Sequence, residues 1–206
     1  MANTAQKGNG IPPKGSDESS KGDGDFNDQL IVSQIVAGQK DLFRLLVRQY
    51  EKAVFAMGLS FFRNREDASD FTQDVFLKAF RNLSGFEGRS RFSTWLYKIA
   101  YNTAINEVNR RKEYHSLAED EMDKLASSID TPERIALRNA ARETVLSAKK
   151  ELPERFRICI DLFFFYDRSY QEIEAITGIP VNTVKSHVFR AKILLKEKLE
   201  FLNLGL

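Results

Sequence analysis

Asp67, Asp70, Gln73, Asp74 and Lys78 recur at helical spacing in the stretch 66–80. At about 100° per residue they fall on one arc, and Ala68, Phe71, Val75, Phe76, Ala79 and Phe80 fall on the other. The pattern predicts an amphipathic helix that presents three carboxylates and an amide together. Asp70, Gln73 and Asp74 form an i, i+3, i+4 set. Such a set offers charge-assisted acceptors in rigid register to a basic helical partner. A solvated face on a core helix has the same composition, so these residues alone leave both readings open.

A second chemistry is available downstream. Phe86-Glu87-Gly88-Arg89-Ser90-Arg91-Phe92 reads as a loop with aromatic ends and two arginines inside, and Ser93 or Thr94 is placed to cap the next helix. On that helix Lys98, Asn102, Asn106 and Asn109 share one side, and Leu96, Ile99, Ala100, Thr103 and Ala104 share another. Arg110-Arg111-Lys112 ends it. Amides both donate and accept, which suits base edges, while lysine and arginine hold phosphates. An ordinary polar face is the alternative, and Trp95 is read as core.

A third set lies near the C-terminus. Ser169-Tyr170-Gln171-Glu172 has the form of a capping box, followed by a short helix with Ile173 and Ile176 and a turn at Thr177-Gly178-Ile179-Pro180. Asn182 is placed to cap the last helix. There Val184, Val188, Ala191 and Leu195 face inward, while Lys185, Ser186, Phe189 and Arg190 face out. This is helix-turn-helix organisation, with the start of the second helix positioned for a major groove. Helical hairpins that touch no DNA share the bare pattern.

These three sets need helices to hold them, and the chain supplies little else. Its 206 residues are 42% hydrophobic, enough for one or two domains with real cores. Net charge is only +2, but its distribution is uneven. Residues 26–112 hold 14 Lys/Arg against 9 Asp/Glu, residues 113–132 hold 1 against 6, and residues 133–206 hold 13 against 10. Two mildly basic blocks separated by an acidic strip suggest two modules that each meet a polyanion. Cys159 is the sole cysteine, so no intrachain disulfide and no cysteine metal cluster is expected; it reads as a small buried hydrophobe. No membrane span and no signal peptide is expected, which gives a cytoplasmic, reduced setting.

In order, residues 1–25 are rich in Gly, Lys, Ser, Asn and Asp and read as a disordered tail. A short helix from Asp28 carries Leu30, Ile31, Ile35 and Val36 to Gly38, and a second begins near Asp41. The strip 113–132 reads as a flexible linker. Thr131-Pro132-Glu133 starts a further helix through Val145 and Leu146, and Leu152-Pro153-Glu154 another, whose run Ile158 to Phe165 is expected to be deeply buried.

Three stretches carry a resemblance to a known family. "DASDFTQDVFLKAF" resembles the polymerase-docking helix of bacterial sigma factors of the extracytoplasmic-function group. "FSTWLYKIAYNTAIN" resembles that family's promoter-element helix, and "SYQEIEAITGIPVNTVKSHVFRAK" its minus-thirty-five reading domain. The resemblance runs over roughly 28–206, with both domains in the family's order. It implies an all-α fold of two helical domains: 26–112 for polymerase docking and minus-ten recognition, and 133–206 for the helix-turn-helix. Asp70, Gln73 and Asp74 then grip the clamp helices of the large polymerase subunit. Phe86, Arg89, Arg91, Lys98, Asn102 and Asn106 meet the minus-ten element, the loop and Asn102 forming a pocket for a flipped base. Asn182, Thr183, Lys185, Ser186, Phe189 and Arg190 meet the minus-thirty-five element. Core RNA polymerase (clamp and flap regions), promoter DNA and an anti-sigma factor are the implied partners, with no metal or small cofactor. Glu174 departs from the family pattern, in a place usually small, and Asn182 stands where glycine is common.

Two other classes compete. A helix-turn-helix regulator of response-regulator type shares "NTVKSH", but it needs an N-terminal domain of alternating strands and helices, and 26–112 has no strand-period run. An enzyme needs a constellation that His115 and His187, the only histidines, do not provide.

Overall fold

The computed structural model describes residues 18–115, 145, 147–149 and 151–203. The expectations for 1–17, for most of the acidic linker and for the helix start at Thr131 lie outside the described residues. Among the described residues the chain is helical and has no strand. Helix α1 (Glu18–Val36) begins upstream of its expected start and takes in residues 18–25, because each residue added to a formed helix gains a backbone hydrogen bond. Gly38, at φ 113°, lets the chain turn into a short 3-10 segment, Lys40–Leu42.

Helix α2 (Phe43–Phe62) buries Leu46, Tyr50, Val54, Met57 and Gly58. The Tyr50 hydroxyl donates to the carboxylate of Asp28, which is fully buried, and this ties α1 to α2. Asn64 caps α3 (Arg65–Asn82): its side-chain oxygen accepts from the Glu66 N–H at 2.8 Å. Helix α3 buries Ala68, Phe71, Thr72, Val75, Phe76 and Ala79, so the apolar arc is the core face, as its spacing predicts. Phe80 is the exception on that arc, being 39% exposed.

Helix α4 (Phe92–His115) starts one residue before Ser93. Ser93 and Thr94 are therefore first-turn residues rather than caps, and both are buried. Leu96, Ala100 and Ala104 complete the first core.

The second bundle is α5 (Glu154–Phe164), α6 (Tyr170–Thr177) and α7 (Val181–Asn203). Ile158, Cys159 and Leu162 of α5 pack with Ile173, Ile176, Val184 and Val188. Phe164 and Phe165, expected to be deep in the core, are 43% and 63% exposed. The helix ends at Phe164, and consecutive residues about 100° apart cannot all face one core. The capping box at Ser169 and Glu172 is formed in both directions, and Gly178 (φ 74°) ends α6 in a left-handed turn. Helix α7 begins at Val181, so Asn182 lies inside its first turn and does not cap it. Glu174 does that work, accepting from the Val181 N–H at 3.2 Å. Its carboxylate is exposed and does not crowd the packing face.

The two bundles share one seam. Tyr166 stacks edge-on against Tyr97 (5.1 Å) and donates to the Ala53 carbonyl at 2.9 Å. Ser60 donates to Asp161 at 2.9 Å, and Lys149 pairs with the same carboxylate at 2.7 Å. Arg168 donates to Ser93 at 2.9 Å, and Thr94 to Glu172 at 3.1 Å.

Helices α2 and α3 meet closely at Gly58. A β-carbon there would lie 2.7 Å from the Phe71 ring and 3.1 Å from the Ala68 backbone. Gly58→Ala gains about 1 kcal/mol of helix propensity but incurs about 1–3 kcal/mol of overpacking, and backbone cannot swing aside as a side chain can. We expect a net loss of stability, read as a lower urea midpoint with an unchanged slope.

Candidate partner and nucleic-acid interfaces

On the first bundle the buried arc of α3 leaves a stripe facing out. Asp70 and Gln73 are exposed and Asp74 is half-exposed. Asp74 holds Lys78 at 2.7 Å, and the same ammonium reaches the Thr103 hydroxyl of α4 at 3.4 Å. Leu77 is 54% exposed and continues the stripe, with Phe80 beyond it. Sequence reasoning passes over Leu77, although its i+3 and i+4 spacing from Asp74 and Gln73 places it there. An acidic stripe ending in exposed apolar residues fits a helical partner with basic and apolar groups.

Asp67 has a different fate. Arg111 of α4 donates to both of its oxygens, at 2.8 and 3.0 Å, and to Glu107 at 2.9 Å. The guanidinium also lies 5.1 Å from the centre of the Phe62 ring. One arginine thereby joins the ends of α2, α3 and α4. Arg111 reads in the sequence as part of a basic helix end, but its charge is committed inside the protein, and Arg110 is paired with Glu107 as well. Between α3 and α4 lies a groove of about 360 Å³, with Asp70, Asp74 and Lys78 on one wall and Thr103, Asn106 and Arg110 on the other.

Lys98, Asn102 and Asn106 stand exposed along one side of α4, together as the spacing implies. The loop before α4 is more closed than the sequence suggests. Phe86 is half-buried against Phe92 (5.8 Å) and Trp95 (5.4 Å), which makes it the loop's anchor. Trp95 is likewise half-buried in this aromatic group. Arg89 points to solvent beside Glu87, whereas Arg91 lies 4.0 Å from Glu172 of α6.

On α7, Asn182, Thr183, Lys185, Ser186, Phe189 and Arg190 are all exposed on one face. His187 turns away from it, its ring 5.1 Å from Phe156 and its Nδ1 3.7 Å from the Cys159 sulfur. Burial, then the nearby Arg155 and Arg190 charges, lower the His187 pKa, and burial pushes the Cys159 thiol up to about 11. Both groups are neutral packing residues at pH 7. Phe164, Phe165 and Ile193 are exposed as well, and Lys192 lies over the Phe164 ring at 5.0 Å. Among the described residues no cluster of His, Cys, Asp and Glu could hold a metal, and no helix is long and apolar enough to cross a membrane.

An acidic stripe, an amide-bearing helix beside a loop with two arginines, and an exposed helix-turn-helix are the composition of a protein with both a protein-facing and a DNA-facing surface. Comparison with known proteins gives the family. A model described as Sigma-70 region 2 matches residues 46–114, and one described as Sigma-70, region 4 matches 142–195. The chain is 36% identical over 181 residues to the RNA polymerase sigma-H factor of Pseudomonas aeruginosa, covering 84% of this chain and 94% of that protein. It is 35% identical over 183 residues to the ECF RNA polymerase sigma-E factor of Escherichia coli, covering 85% and 95%. Among solved structures, CnrH in complex with the cytosolic domain of CnrY matches with a TM-score of 0.61 at 25% identity, over 84% of this chain and 97% of that one. The chain belongs to the sigma-70 family of RNA polymerase sigma factors, in its extracytoplasmic-function group. Such a factor directs RNA polymerase to promoters; the response-regulator alternative is not favoured, since residues 18–115 contain no strand among those described.

Hydrogen bonding from Arg111 outweighs burial and holds the Asp67 carboxyl below its ordinary 3.8. A depressed carboxylate stabilises the fold above its unfolded pKa, and that contribution is lost as pH falls through the folded value. Asp67→Asn should be less stable than the parent at pH 7, by about 1 kcal/mol because the pair is partly exposed. The difference should shrink as pH drops below 3.8, measured by urea denaturation at several pH values.

Proposed function

We propose that residues 26–112 dock core RNA polymerase and read the minus-ten element, while 133–206 read the minus-thirty-five element. The observation that carries this is the outward stripe of Asp70, Gln73, Asp74 and Leu77 on a helix whose opposite face is locked in the core. Asp70, Gln73 and Asp74 supply rigid acceptors for the basic clamp helices of the large subunit, and Leu77 supplies apolar contact. The exposed Phe164 and Phe165 suit the flap region. Lys98, Asn102 and Asn106, with Arg89 and Arg91, serve the melted minus-ten strand, and Phe86 shapes the pocket by anchoring the loop on Trp95. Asn182, Thr183, Lys185, Ser186, Phe189 and Arg190 enter the upstream major groove.

The chain acts in the cytoplasm as a regulatory subunit, and the polymerase performs the chemistry. The solved complex of CnrH with the cytosolic domain of CnrY supports a protein partner for this chain, and the family resemblance points to one of the anti-sigma kind.

Run-off transcription with purified core polymerase over a random promoter library tests the reading directly. Reversing Asp70 and Asp74 to Lys should weaken core binding by several kcal/mol while the isolated chain still folds, since like charges at a packed interface repel. Unchanged core affinity would remove the stripe from the docking site. Arg190→Ala should cost about 1–3 kcal/mol of promoter affinity and relax preference at one upstream position, if this arginine reads a base edge. A loss spread evenly over all promoter sequences would make it a phosphate contact instead.

A further inference from the structure

Helix α1 has no part in the acidic stripe, the amide-bearing side of α4 or the helix-turn-helix, yet its rotation is fixed. Ile31, Val32 and Ile35 are buried, and the fully buried Asp28 accepts from the Tyr50 hydroxyl. Tyr50 in turn packs on Phe92, one end of the loop assigned to the minus-ten element, with ring centres 5.6 Å apart. Phe92 meets Phe86, the other end of that loop, at 5.8 Å. Turning α1 would draw the buried carboxylate away from its partner, at a cost no exposed residue would repay. Asp28 therefore sets one rotation of α1 against one position of the loop.

Gln29 follows Asp28, is turned about 100° from it on the helix, and is exposed. Its side chain lies along the loop: the amide nitrogen is 3.9 Å from the place a β-carbon on Gly88 would occupy. That is ordinary contact, so Gly88 is glycine for its φ of 70° and not to make room for the amide. Helix α1 also packs against the turn Leu83–Gly85 and against α4, which brackets the loop on both sides. The amide thus stands beside the loop without being packed into it, and Arg89 reaches solvent from the residue after Gly88.

We propose that Gln29 is a further specificity-determining residue: its amide forms a wall of the minus-ten pocket and hydrogen-bonds the edge of one unstacked base of the melted strand. The proposal rests on the minus-ten reading of the loop. Each base edge sets donors beside acceptors, and an amide, which carries one of each, matches such an edge with two bonds. A single strand leaves those edges free, because its bases can be splayed out of the stack. The rigid attachment through Asp28 matters for reading, since an amide on a fixed helix meets a base in one geometry. Helix α1 then takes part in promoter choice as well as in the core.

The test uses holoenzyme assembled from purified core polymerase and the full chain. Fluorescein-labelled single strands carry the minus-ten element of a promoter that this chain transcribes, with each base substituted in turn. Gln29→Met keeps the reach of the side chain and removes its hydrogen bonds. It should lower affinity for the parent strand about tenfold and flatten discrimination at one position, leaving the other positions unchanged. Gln29→Glu keeps acceptors only, and should change the order of base preference at that same position. A substitution profile identical to the parent's for both variants, or a loss spread evenly over all positions, would overturn the proposal. Asn102→Ala and Arg89→Ala separate this outcome from the reading beneath it. A changed profile for either, beside unchanged profiles for the Gln29 variants, removes Gln29 alone. Unchanged profiles for both remove the loop and α4 from the minus-ten site.

Discussion

Gly58 and Ala68 let α2 and α3 approach until no β-carbon fits between them at Gly58, and the outward chemistry of the first bundle depends on that contact. With α3 pressed so closely on α2, its rotation is fixed by Phe71, Val75, Phe76 and Ala79 entering the core. A helix held by four buried residues at i, i+4, i+5 and i+8 has one remaining face, and here it carries Asp70, Gln73, Asp74 and Leu77. Turning α3 by one residue would put a carboxylate into the core at a cost of several kcal/mol. The stripe is therefore presented without further restraint from its own side chains. Its acceptors face solvent, with Asp74 already holding Lys78.

Arg111 extends the constraint to α4. Its two bonds to Asp67 and one to Glu107 fix the far end of α4 against the start of α3, while Leu96, Ala100 and Ala104 fix the near end by burial. Asn106, with Thr103 and Arg110, then stands across a groove from Asp70 and Asp74. Arginine suits the task because its planar fork can meet a carboxylate in two places, which a lysine cannot. The acidic stripe of α3 and the amide-bearing side of α4 are thus held together by one partly exposed ion pair and one apolar seam.

The sequence announces those features whose cause is local. The arcs of α3 and α7, the capping box at Ser169 and the turn at Gly178 follow from spacing and turn chemistry a few residues long. What it does not announce depends on partners far along the chain. Arg111 looks like one member of a basic run until Asp67, 44 residues away, takes its charge. Ser93 and Thr94 look like caps until Arg168 and Glu172 claim their hydroxyls. Phe164 and Phe165 look like core because hydrophobicity says nothing about where a helix stops. Glu174 looks like a packing fault, yet its reach to the Val181 N–H makes it the cap that Asn182 is not.

The seam between the bundles is part apolar and part polar. Its apolar part runs the two cores into one cluster, with Met57, Phe61, Tyr97 and Tyr101 meeting Ile158, Leu162 and Tyr166, and burial pushes the Tyr166 phenol up so that it stays neutral and donates to Ala53. The rest is polar: Ser60 with Asp161 and Lys149, and Ser93 and Thr94 with Arg168 and Glu172. It also holds an unfavourable element. Arg157 is 6% exposed, its Nε has no hydrogen-bond partner among the described residues, and burial, then the Arg63 charge, lower its pKa. A core selected for permanence would replace such a guanidinium by an apolar residue, because an incompletely bonded buried charge costs more than its partners return. Across this seam the charge of the exposed Arg63 opposes that of the buried Arg157.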